Sequence, residues 1–166
     1  MVLYLIDGHN LIGSGRVPGV HLAQEDDEYR LVQWLRARQP KLAAQMVVVF
    51  DGGIPGGWSP ALSGGGVRVF FAAQHHARAD RIILDRVKQV PLKREVTVVS
   101  DDRVLREAVE AAGARVMRTA EFVQKLERRR QHRKRPRAGS PRPEPRLSEA
   151  EVEAWLRLFE GGREDG

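Results

Sequence analysis

The sequence has no cysteine, which excludes disulfides, thiol nucleophiles and every zinc site built on thiolates. It has no long apolar stretch near its start. The run Val2 to Ile6 is too short for a signal peptide or a membrane span, so a cytoplasmic protein without a membrane partner is expected. There is no Walker-type phosphate loop. Gly13 and Gly15 begin something like a dinucleotide fingerprint, but Pro18 stands where its last glycine belongs and no helix is expected after it. No internal repeat is evident. What is present is 166 residues with 42% hydrophobic content, enough for one domain with helices on both faces of a sheet, plus an appendage.

The formal net charge is +6, but its location matters more than its size. Between Gln124 and Leu147 ten Lys or Arg face only Glu127 and Glu144, so this segment carries +8 and the rest of the chain −2. The body is slightly acidic and one segment holds the basic character.

Short β-branched or aromatic runs at Val2–Ile6, Met46–Phe50, Val67–Phe71 and Val96–Val99 read as buried strands, and Ala114–Met117, after a Gly113 suited to a helix C-cap, as a fifth. Helical patterns lie between them, at about Asp26–Arg38, Ala77–Gln89, Asp102–Ala112 and Thr119–Arg130. The alternation predicts a three-layer α/β fold: a mostly parallel sheet of about five strands with helices on both faces and right-handed crossovers. Residues 1–130 form this domain, and 131–147 read as a basic Pro/Arg-rich linker that cannot bury a core. Residues 148–160 follow as an amphipathic helix, with a capping box in Ser148 and Glu151 and with Val152, Trp155, Leu156 and Phe159 on one face.

The first strand runs into Asp7, the second into Asp51, and the fourth, through Ser100, into Asp101 and Asp102. Ligands of open α/β sheets sit beyond the carboxyl ends of the strands. Aspartates there also cap helices and make turns. Asp80 adds a fourth acid. At helical spacing it shares a face with Ile83, Leu84 and Val87, whereas Asp85 falls beside Arg81 and Lys88 on the polar face. Two carboxylates about 4 Å apart repel by roughly 4 kcal/mol at an effective dielectric near 20. Converging acids therefore call for a cation, and oxygen ligands without thiolates favour Mg²⁺ or Mn²⁺. Such an ion suits attack on a phosphodiester, and the basic segment suits a polyanion. The residues favour a metal-dependent nuclease, with a phosphatase left open.

"LYLIDGHNLI", "VVVFDGG", "ARADRIILDRV" and "VTVVSDDRVLREAVEAAGARV" together resemble the YacP-like branch of the NYN-domain ribonucleases, within the PIN-like fold. The resemblance covers about residues 1 to 130 and implies a metal-dependent RNA endonuclease. It places Asp7 of an Asp-Gly-x-Asn motif, Asp51, Asp80 and Asp101 in an acidic metal site. Asn10 would orient a ligand or a metal-bound water. Asp102 would join the metal ligands or cap the following helix.

Around this site, Arg128, Arg129, Arg130, Arg133, Lys134 and Arg135 are expected to contact RNA phosphates. Trp58, in the glycine-rich stretch "DGGIPGGWSPALSGGG", would stack on a base or cover the core. That stretch is expected to carry no strand, as a flap or a surface loop. His9 is a lesser catalytic candidate, His75 and His76 read as loop residues, and the acids of "EDDE" at 25–28 read as serving a helix dipole. A receiver-like phosphorylation domain would need a lysine where Arg118 and Thr119 stand. A non-catalytic RNA-binding or ribosome-associated module with an inert acidic pocket is the main rival. The oligomeric state is open.

Overall fold

A computed structural model describes residues 2–39, 44–52, 56–72, 78–131 and 148–157, with the backbone alone at 129–131. Six strands build one sheet: β1 (Val2–Asp7), β2 (Ala44–Phe50), β3 (Gly57–Trp58), β4 (Val67–Phe71), β5 (Val96–Val99) and β6 (Arg115–Met117). Their spatial order is β3-β4-β2-β1-β5-β6. All neighbours are parallel except β3, which pairs antiparallel with β4. Chain order runs outward from β1 through β2 to β4, then returns to β5 on the other side of β1. That reversal puts the switch point at the end of β1.

Period-two alternation in the buried strands makes two cores. Leu3, Leu5, Val47, Val49, Val96 and Val98 face one side, where α3 (Ala79–Gln89), α4 (Arg103–Ala111) and α6 (Glu149–Leu156) cover them. Tyr4, Ile6, Met46, Val48 and Phe50 face the other, under α1 (Gly8–Gly13), α2 (Asp27–Arg38) and α5 (Thr119–Gln131). Burial on both faces explains why these strands read as unbroken apolar runs. Gly113 takes φ +103° just after α4, the left-handed C-terminal position that favours glycine.

Three details differ from the sequence reading. The glycine-rich stretch does carry a strand, the two-residue β3, whose Trp58 meets Phe70 edge-on at 5.2 Å between ring centroids. Two residues are too few for a pattern to reveal, and pairing with β4 fixes them. On α3 the buried stripe is Ala79, Ile82, Ile83, Arg86 and Val87. Leu84 and Asp80 are half-buried at its edge, because the helix is rotated so that Arg86 runs inward. The short α1 was not foreseen, since six residues carry no helical period.

The C-terminal helix packs on the body. Ser148 and Glu151 form the expected reciprocal capping box, and Val152, Trp155 and Leu156 are buried in the α3–α4 core. The Trp155 indole N–H donates to the Arg86 carbonyl at 2.8 Å, and Arg68 pairs with Glu153. Phe159, His75, His76 and the basic residues Arg133, Lys134 and Arg135 lie outside the described residues. No described helix is long and apolar enough to cross a membrane.

Candidate active site

Strand parity aims the acids. Asp7 follows Leu3 and Leu5, and Asp51 follows Val47 and Val49, so both belong to the α3–α4 side of the sheet. Gly8 makes the next step possible. A Cβ there would come within 2.4 Å of the Phe50 ring and 2.9 Å of Val48, so only glycine lets α1 start directly over β2. This gives the Asp-Gly-x-Asn pattern a packing cause.

Asp7 is buried, and its carboxyl is pushed up from the ordinary 3.8 to about 6. Burial is the largest cause, followed by the charge of Asp51. Asp80 and Asp102 push the same way, while the Asn10 backbone amide opposes them. Three acids thus act on Asp7 where β1, β2, α3 and α4 meet.

Two of the acids bond helix N-termini through one oxygen each. Asp51 Oδ1 accepts the Ala79 N–H at 2.6 Å, at the start of α3. Asp102 Oδ1 accepts from Val104 and Leu105 at the start of α4. Among the described residues no hydrogen bond engages the second oxygen of either carboxylate. Asp101 differs, because both its oxygens are committed to Thr119: Oδ1 to the N–H at 2.9 Å and Oδ2 to the hydroxyl at 2.6 Å. Burial tends to raise the Asp101 carboxyl, but the Thr119 bonds and the nearby Arg16 and Arg118 outweigh it and hold it below the ordinary value. Asn10 Oδ1 accepts the Asp101 backbone N–H at 2.8 Å, tying α1 to the turn after β5.

An open groove of about 460 Å³ leads away from Asp80 between α3 and α4, lined by Arg78, Arg81, Leu84, Val104, Leu105 and Ala108. Asp85 pairs with Arg81 at the outer edge of α3. His9 lies elsewhere. Its ring meets Phe50 at a tilt of 48°, with 4.9 Å between centroids, and its Nε2 meets Glu28 of α2 at 2.9 Å, on the opposite side of the sheet from the acids. Trp58 is half-buried against the α3–α4 core, and Arg128 is exposed near the end of α5. Sequence reasoning passed over Arg16 and Arg78. Arg78 is the N-cap of α3, two residues before Asp80, and carries no periodic signal, whereas Arg16 stands in a loop that only the fold brings to Asp101.

Acids converging beyond a parallel sheet, at the point where strand order reverses, define an α/β protein of nuclease-like type. A model of the YacP-like NYN domain matches residues 4–160, and the chain belongs to that family. Membership points to a nuclease-like, RNA-related function. Among solved structures the chain is similar to Rae1 (YacP) from Bacillus subtilis, at 22% identity and a TM-score of 0.60, over 79% of this chain and 76% of that one. A tryptophan-to-leucine mutant of the same protein gives 22% identity and a TM-score of 0.62, over 79% and 78%. At that identity the likeness establishes the shared fold. No curated protein matches the sequence.

Proposed function

We propose that the protein is a metal-dependent endoribonuclease, a hydrolase of RNA phosphodiester bonds, using Mg²⁺ or Mn²⁺ held by Asp7, Asp51, Asp80 and Asp102. The observation that carries this reading is the gathering of Asp51, Asp80 and Asp102 around the buried Asp7 carboxyl, which burial first, and these charges after it, push up to about 6. The donor set fits such an ion: carboxylate oxygens, two of them on aspartates whose other oxygen is already fixed by a helix N-terminus. When bound, the ion activates water and offsets charge developing on the phosphodiester.

The chain's own residues supply position and charge. Asp51 and Asp102 are oriented by the helices they cap, so their free oxygens need little ordering. Asn10 and Thr119 are positioning residues that hold the Asp101–Asp102 turn beside Asp7. Arg78 and Arg81 line the groove beside Asp80 and suit the phosphates flanking the cut. Arg128 to Arg130, with Arg133, Lys134 and Arg135, suit sequence-independent contact with the RNA backbone.

Cleavage of internally labelled single-stranded RNA should appear with Mn²⁺ or Mg²⁺ and vanish with EDTA. Asp7→Asn and Asp102→Asn should each lower the rate at least about a hundredfold, because Asn presents donors where a ligand must accept. Asp85→Asn should change little. Wild-type turnover of both site variants across a Mn²⁺ titration would refute the assignment. RNA binding without metal-dependent cutting would instead identify a non-catalytic RNA-binding module.

A further inference from the structure

We propose that His9, Asp27 and Glu28 form a second, separate site for a divalent transition metal, which clamps α1 to the first turn of α2. One ligand atom from each residue lies within 4.8 Å of the other two. Asp27 carries the argument. It is 8% exposed, and among the described residues no hydrogen bond or ion pair engages its carboxylate. His9 Nε2 is already directed at Glu28 Oε2, at 2.9 Å. This unpartnered carboxylate, a second carboxylate and an imidazole together bring three ligand atoms within coordination reach of a single cation.

The geometry suits an ion of zinc-like size. Ligands about 2.1 Å from a tetrahedral centre are roughly 3.4 Å from one another. The His9–Glu28 separation, at 2.9 Å, is slightly shorter than this, and no separation in the cluster is more than 4.8 Å, within reach of side-chain rotation. One imidazole nitrogen with two carboxylate oxygens favours Zn²⁺, Co²⁺ or Mn²⁺ over Mg²⁺, which prefers oxygen ligands throughout. The site is therefore chemically distinct from the four-aspartate pocket, and its His9 packs against Phe50 on the other face of the sheet. Its consequence is mechanical. A bound ion would fix the helix that carries Asn10 across the loop joining α1 to α2.

The test uses the full chain, freed of metal with a chelator, and Co²⁺ and Zn²⁺ as probes. The double variant Asp7→Asn/Asp102→Asn disables the acidic pocket without touching the cluster. It should still bind one Co²⁺ per chain in calorimetry, with a visible absorption spectrum showing nitrogen ligation, and Zn²⁺ should raise its melting temperature. Adding Asp27→Asn, or separately His9→Gln, should weaken that binding more than about tenfold and abolish the Zn²⁺ shift. Asp27→Asn is isosteric, and its far-UV circular dichroism confirms that the fold is kept. Equal binding with and without Asp27→Asn and His9→Gln overturns the proposal, as does absence of Co²⁺ binding in the double variant. Because the acidic pocket is disabled throughout, failure here leaves the nuclease assignment standing.

Discussion

Asp7 has a measurable cost in the metal-free protein, and Asp7→Asn should relieve it. Raising the carboxyl from 3.8 to about 6 corresponds, at about 1.36 kcal/mol per pH unit, to roughly 3 kcal/mol of destabilisation once the group is ionised. Well below the ordinary 3.8 the carboxyl is protonated in both folded and unfolded chains and contributes nothing. Between about 4 and 6 the folded chain keeps a proton that the unfolded chain has lost, so wild-type stability falls as pH rises through this window. Above about 6 the whole penalty is present. Asn carries no charge, so the variant should match wild type near pH 4 and exceed it by about 1–3 kcal/mol at pH 7.5. For a chain of this length that is roughly 3–10 °C in melting temperature. Urea unfolding in EDTA at pH 4, 5, 6 and 7.5 measures the difference, in which groups common to both proteins cancel. Adding Mn²⁺ at about a hundred times its dissociation constant should return about 2.7 kcal/mol to wild type and much less to the variant. A stability difference independent of pH, or a wild type more stable than Asp7→Asn at pH 7.5 in EDTA, would refute the reasoning.

Trp155→Ala removes a buried indole and its bond to the Arg86 carbonyl; it should cost about 3 kcal/mol in denaturant unfolding, and a change within about 0.5 kcal/mol would mean that α6 contributes nothing to the fold. For the basic segment, if five charges engage single-stranded RNA at once, log K should fall by about 3.5 per tenfold rise in salt. Changing Arg128, Arg129, Arg130, Arg133 and Arg135 to Gln should flatten that slope and weaken all RNA sequences alike, while cleavage at saturating substrate and low salt survives. Loss of cutting with binding intact would place these residues in the active site instead.

Much of this architecture is legible in the sequence because burial on both faces leaves β1, β2, β4 and β5 as apolar runs. The acids are legible for the same reason, since a carboxylate ending such a run stands out. What is hidden depends on direction. Asp101 and Asp102 are adjacent and chemically alike, and only the turn after β5 sends one to Thr119 and the other toward Asp7. Arg86 sits at a core position of α3 that its charge disguises. The partnership of His9 with Asp27 and Glu28 crosses nearly twenty residues without any spacing rule. Gly8 looks like a turn residue until the Phe50 ring is seen beneath it.

The two faces of the sheet finish at different points along the chain. The side under α1, α2 and α5 has all its helices by residue 131, whereas the side under α3 and α4 waits for residues 149–156. On a ribosome, where residues emerge in order, the first side can close while the second still exposes its apolar surface. The acids belong to the second side, and α3, which carries Asp80, is the helix that Trp155 secures. Completion of the face that carries the acids would then lag behind the first, giving each new molecule an interval in which one core is closed and the other is still open.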